Sequence, residues 1–232
     1  MIARLPVRRA LAVAALASAS CAGEAPVAVT TSTTTTTTTT TMATTTTVAS
    51  PQLVVVAVRL DRRVRDAATA DFDAVVRATL TDPRGWQAAG FEFRFAPDAP
   101  YAVVLAEGPT VGELCRPYDV YGRYSCQNGP VVALHAERWR RATPEWTGDL
   151  ASYRQMLVNH EVGHLLGQHH PSVQCPAVGT PAPVMAQQST ELDGCLPNPW
   201  PLPWEVACAA RHDEPLAPGY EKDPVLRCGP AG

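Results

Sequence analysis

Residues 160–170 read His160-Glu161-Val162-Gly163-His164-Leu165-Leu166-Gly167-Gln168-His169-His170, a set of types and spacings suited to a catalytic metal site. Two histidines four apart lie one turn from each other on a helix face, so both imidazoles can reach one ion. Glu161 sits between them and can act on water at that ion without being a ligand. Gly167 accepts the left-handed conformation that ends a helix, and the turn brings His170 back as the third ligand. Three protein ligands leave tetrahedral zinc one open position, the pattern of catalytic rather than structural sites. Five fixed residues in this arrangement arise by accident in on the order of one in 100,000 chains of this length. The competing reading is a core helix whose histidines bond only to backbone. Three histidines in one short segment are costly to bury without a shared partner, which favours the metal.

The elements that must hold this segment can be read outward from it. Leu150 to Leu166 is the central helix, with Tyr153, Leu157, His160 and His164 on one face and Val158, Val162 and Leu165 on another. A helix apolar on two sides is buried. Upstream, Gln52 to Leu60 reads as a buried strand and Asp71 to Leu80 as a helix closed by Asp82-Pro83-Arg84-Gly85. Gly90 to Ala96 alternates around Phe91, Phe93 and Phe95, and Tyr101 to Ala106 is a further apolar strand. Val120 to Ser125 and Pro130 to His135 flank Asn128-Gly129, a hairpin signal. Arg138 to Arg141, with Trp139 inside, reads as a solvated face. Beyond His170 the chain is proline- and cysteine-rich and predicts irregular structure.

The ends and the cysteines point to export. Residues 1–21 read as a signal peptide, with Arg4, Arg8 and Arg9 before an apolar run from Ala10 to Ala19 that is short for a membrane span. The run ends at Ser18-Ala19-Ser20-Cys21, similar to a bacterial lipobox, so Cys21 is the expected lipid attachment point; ordinary cleavage nearby and an uncleaved anchor are the alternatives. Residues 22–50 are a threonine-rich linker, in which Thr30 to Thr47 has no aromatic and almost no apolar content to bury, leaving residues 51–232 as the folded domain. Six cysteines remain, Cys115, Cys126, Cys175, Cys195, Cys208 and Cys228. An even number in an exported domain favours three disulfides, and of the fifteen connectivities nearest-neighbour pairing is the expected one. No pair has the two-residue spacing of a cysteine zinc site. Net charge is −3 with no extended basic cluster, so nucleic-acid binding is not expected.

The long histidine motif, with glycine before the third histidine, resembles that of the metzincin zinc metallopeptidases. Pro183-Val184-Met185-Ala186 resembles their Met-turn, whose methionine, here Met185, lies beneath the metal as an apolar floor. The family spacing selects His170 over the adjacent His169. More narrowly, the chain is similar to exported actinobacterial proteins carrying a metzincin-like domain of unknown function. That likeness rests on residues 158–164, Cys175-Pro176, residues 181–185, Leu192-Asp193-Gly194-Cys195 and Pro197-Asn198-Pro199-Trp200-Pro201. It implies an α+β, metzincin-like (zincin) fold: a mixed twisted sheet, a buried active-site helix with a second helix, and an irregular, disulfide-rich C-terminal part. The next tyrosine after Met185 is Tyr220, so a tyrosine ligand is not expected, nor is a cysteine latch ahead of the domain.

The function so implied is a secreted or surface-tethered zinc metalloendopeptidase, with zinc on His160, His164 and His170 and Glu161 as general base. The metal would leave below about pH 6, as ordinary imidazoles protonate. The partner is a peptide or protein substrate, the membrane is met only through the N-terminal anchor, and the domain is expected to be monomeric. An extended substrate would pair with a sheet edge, for which Val131 to Leu134 is the candidate, and Trp200 and Trp204 are candidates for a pocket wall. His135 and His212 are not expected to be ligands. The alternatives are a tethered binding module with non-catalytic zinc, and a zinc amidase acting on cell-wall peptides.

Overall fold

A computed structural model describes residues 53–210. The expected signal peptide with Cys21, the threonine-rich linker, His212 and Cys228 lie outside the described residues.

Five strands form one mixed sheet: β1 (Val54–Arg62), β2 (Phe91–Phe95), β3 (Tyr101–Ala106), β4 (Cys126–Asn128) and β5 (Val131–His135). The order is β2-β1-β3-β5-β4, parallel throughout except for the antiparallel β4–β5 pair. The helices are α1 (Phe72–Leu80), α2 (Gly108–Leu114), α3 (Ala136–Arg141), α4 (Leu150–Leu165) and α5 (Pro203–Ala209). The mixed sheet and buried central helix of the expected α+β fold are observed, in a mixed α/β arrangement.

The strand period of two explains how the sheet divides its side chains. From β3, Val103 and Leu105 enter the larger core with Val56, Phe72, Trp86, Leu134, Tyr153 and Val162. Ala102, Val104 and Ala106 face the other way, against Val111, Cys115 and Ala133. β1 buries Val54, Val56 and Val58 while Val55 is exposed, so it is a one-faced strand rather than the fully buried one expected. α4 buries eleven of its sixteen residues, His160 and Glu161 among them, in keeping with its two apolar faces.

The hairpin is present with a shifted register. Its loop is Gly129-Pro130, and Asn128 is the last residue of β4, its side chain tied to the carbonyls of Leu114 and Arg116. Val120 to Ser125 forms turns rather than a strand. Because β5 lies between β3 and β4, Val131 to Leu134 is not a sheet edge; the open edge beside it is β4. The Arg138 to Arg141 run is likewise not a solvated face. Trp139 is fully buried edge-on to Phe72 at 5.2 Å, and Arg140 pairs with Asp66 and Glu107. Sequence periodicity misses α2 and α3 because six or seven residues give too few turns for a face to show.

Two of the three expected disulfides are seen, Cys115–Cys126 and Cys175–Cys195. The first ties the end of α2 to β4; the second staples the segment after α4. Cys208 is buried and disulfide-bonded, while the pairing expected for it, with Cys228, lies outside the described residues. Residues 167–202 contain no helix and a single bridge, Pro181 to Leu196, as the composition predicts. α5 is the regular element that this reading missed.

Candidate metal and catalytic site

α4 begins at Asp149, whose carboxylate caps the Ser152 amide at 2.6 Å. It ends at Gly167, with φ of 81°. The Gly167 amide donates to the His164 carbonyl at 3.0 Å, and the Gln168 amide donates to the Gly163 carbonyl at 2.9 Å. This pair of bonds is the Schellman termination, which needs a left-handed residue at that point. The chain reverses there and delivers His170 to the ligand face of α4.

The three imidazoles converge. His170 Nε2 lies 3.2 Å from both His160 Nε2 and His164 Nε2. His160 Nδ1 donates to the Val184 carbonyl at 2.9 Å, and His164 Nδ1 donates to the Gln168 carbonyl at 2.8 Å. A carbonyl cannot donate, so each Nδ1 carries the proton and each Nε2 presents a lone pair. Burial pushes His160 down to about 4, and desolvation with the neighbouring imidazoles holds His164 well below the usual range, so both are neutral at pH 7. The two lone pairs of His160 and His164 thus point at His170 Nε2, where a cation could be shared among the three rings. Ligand atoms about 2.0–2.1 Å from a tetrahedral zinc stand roughly 3.3–3.4 Å apart, so the donor set fits such an ion.

Glu161 is 6 % exposed and opens into the same cleft, and no hydrogen-bond partner for its carboxylate occurs among the described residues. From the protein's own groups, burial pushes it up to about 8, with Arg138 acting in the opposite sense. It is thus a buried acid without a hydrogen-bond partner among the described residues, beside three histidines that could hold a metal.

Met185, 2 % exposed, packs against α4 at Gly163. A Cβ at Gly163 would collide with Met185 Sδ and come within 2.8 Å of Trp86 Cζ2, so the absence of a side chain there lets the methionine reach α4. Glu205 of α5 fixes this turn. Its carboxylate accepts from the amides of Val184 at 3.0 Å, Met185 at 2.9 Å and Leu202 at 2.7 Å. Sequence reading missed Glu205, and its only signal was an acid three residues into a proline-started helix.

The cleft above the histidines has a volume of about 470 Å³. β4 lines one side, Gln187 to Thr190 another, and Tyr118, Tyr124 and Arg138 close it. Trp200 and Trp204 do not line it; Trp200 is covered by the Arg84 guanidinium at 4.3 Å. His135 is a buried strand residue bonded to the Gly122 carbonyl, and His169 remains outside the three-histidine cluster.

The fold and the site together define a mixed α/β domain with a three-histidine cluster compatible with a metal ion. Over residues 25–203 the chain matches the model of a family described as a protein of unknown function (DUF3152), and it belongs to that family. No curated protein matches it. Among solved structures it is similar to that of myroilysin, at 17 % identity and a TM-score of 0.31. The likeness covers 55 % of this chain and 53 % of that one, so the chain spans about half the length of that structure.

Proposed function

We propose that this protein is an exported zinc metallopeptidase of metzincin type, with His160, His164 and His170 as metal ligands and Glu161 as its acid–base residue. The observation that carries the reading is the convergence of three imidazoles beside a buried glutamate whose carboxylate has no hydrogen-bond partner among the described residues. Zinc in such a set supplies Lewis acidity, polarising a substrate carbonyl and making water a competent nucleophile near neutral pH. Glu161 takes a proton from the attacking water and hands it to the leaving nitrogen, and both transfers need a carboxyl poised near the working pH. Burial raises Glu161 and a nearby dication lowers it, so the two influences hold it near that range.

The substrate lies extended in the cleft along β4, the open sheet edge, where main-chain pairing can hold it. Gln168 and Val184 carbonyls keep the histidines in their metal-binding tautomer, and Met185 gives them an apolar floor. The two disulfides support an oxidising compartment, in keeping with a leader peptide and a lipid anchor on Cys21.

The test is digestion of a peptide library by the purified, zinc-supplied chain beside Glu161→Ala, read by mass spectrometry with metal content measured in both. Cleavage by the wild type alone, with zinc retained by both, is expected. A chain that binds one zinc and cleaves nothing would remove the peptidase reading.

A further inference from the structure

We propose that Arg138 makes the cleft a carboxylate-reading site. The preferred substrates then carry an acidic side chain or a free C-terminal carboxylate close to the bond that is cut. This rests on the peptidase reading above and specifies its substrate class.

Three arginines of α3 have different surroundings. Arg140 is neutralised by Asp66, Glu107 and Glu137, and Arg141 by Glu137. Arg138 has no ion pair among the described residues. It is half-buried, and among the residues lining the cleft it is the one lysine or arginine. Neutral groups hold it there. Its guanidinium stacks over the Tyr124 ring, 4.7 Å from the centroid, and reaches the Tyr153 hydroxyl, which in turn bonds to Ser189 Oγ at 3.0 Å. Tyr124 belongs to the loop closed by the Cys115–Cys126 disulfide, and Tyr153 to α4, so the cation is fixed between two rigid elements.

The charge is therefore positioned but not cancelled. It lies close enough to the reaction centre to act on both His160 and Glu161. A guanidinium in a partly desolvated cleft recognises a carboxylate in two-pronged fashion, and Gln187, Ser189 and Thr190 of the lining bring no competing charge, Glu161 being the one carboxylate there. Hydrogen bonds to charged partners are worth enough to give about ten- to hundredfold discrimination between a carboxylate and its amide.

The experiment uses the full zinc-supplied chain and three probes: an acetylated, amidated alanine pentapeptide with a central glutamate, its glutamine isostere, and the glutamine peptide with a free C-terminus. Binding is followed by NMR titration of Glu161→Ala, which blocks turnover, alone and with Arg138→Gln or Arg138→Lys. Hydrolysis is followed in the Glu161 background. The glutamate or free-carboxylate peptide is expected to bind at least about tenfold tighter than the neutral one. Arg138→Gln should abolish that ratio, weakening the charged peptide far more than the neutral one, and Arg138→Lys should restore part of it. Which of the two charged probes wins identifies the source of the carboxylate. Equal binding of charged and neutral peptides, a preference that survives Arg138→Gln, or binding of none of the three would overturn the inference. Charge-selective binding without hydrolysis would instead remove the peptidase reading and leave Arg138 as an anion site.

Discussion

His160 Nδ1 donates to the carbonyl oxygen of Val184 at 2.9 Å, so the first histidine of the motif is oriented by a residue 24 positions downstream. The Met185 amide, which shares a peptide unit with that carbonyl, donates in turn to Glu205 at 2.9 Å. One peptide unit thus connects the buried carboxylate of α5 to the imidazole of α4, and the metal cluster depends on both ends of that connection.

Removing any of His160, His164 or His170 should abolish stoichiometric zinc binding. The loss should exceed the roughly 10–100-fold typical of changes in residues that only support a ligand. His169→Ala should retain the metal, since His169 lies outside the cluster. Metal content after dialysis, measured by mass spectrometry for the four single variants, checks both halves. A His169→Ala chain without zinc would reassign the third ligand.

Acid release of the metal should fall lower than ordinary imidazoles suggest. Burial depresses His160 to about 4, so protons compete for its lone pair only as pH drops from the usual imidazole value, about 6.5, towards that figure. The expectation from sequence, release below about pH 6, shifts downward for this physical reason. Equilibrium dialysis from pH 7 to pH 4 should show zinc still bound at pH 6 and lost towards pH 4.

Glu205 predicts a second pH dependence. Burial pushes this carboxyl up to about 7, above its value in the unfolded chain, with three backbone amides acting in the opposite direction. A raised folded-state pKa means that its contribution is fully present below about 4.3 and is lost as pH rises through 7. The shift corresponds to about 4 kcal/mol across that window. Urea unfolding of wild type and Glu205→Gln at several pH values should give a stability difference that changes between pH 4 and 7 and is flat above 8. A difference independent of pH would show that Glu205 does not titrate there.

Gly163→Ala should destabilise the domain by about 1–3 kcal/mol, the cost of overpacking a filled core. The added methyl meets Met185 Sδ and Trp86 Cζ2, so one of the two must leave its position against α4. A lowered Tm together with weaker zinc binding is expected. An unchanged Tm would mean that the methionine floor can retreat freely.

Opening the Cys115–Cys126 disulfide, by replacing both cysteines with serine, should cost about 2–4 kcal/mol. It should also loosen the loop that carries Tyr118 and Tyr124 into the cleft. Limited proteolysis should then cut between α2 and β4 first.

Much of the site is local and was therefore legible in the residues. The i, i+4 histidines share a helix face by helical geometry alone, and Gly167 stops α4 because a glycine is the residue most at ease with positive φ. β2, β3, α1 and two short-range disulfides follow from nearby patterns in the same way. What depends on distant segments was not legible. Strand order is set by how the parallel crossovers pack, and that made β4 the open edge instead of β5. Trp139 looked like part of a charged surface until Phe72 and α4 covered it. Glu205, Gly163 and Arg138 acquire their roles only from partners brought close by folding: the Val184 and Met185 amides, the Met185 and Trp86 side chains, and the Tyr124 ring. The sequence by itself determined which histidines can gather round a metal and which acid stands beside them; the tertiary structure decided what orients them, which edge stays open and where Arg138 stands. The reason is physical: donor chemistry and helix periodicity reside in a few neighbouring residues, whereas desolvation and charge compensation are sums over everything the fold brings within reach.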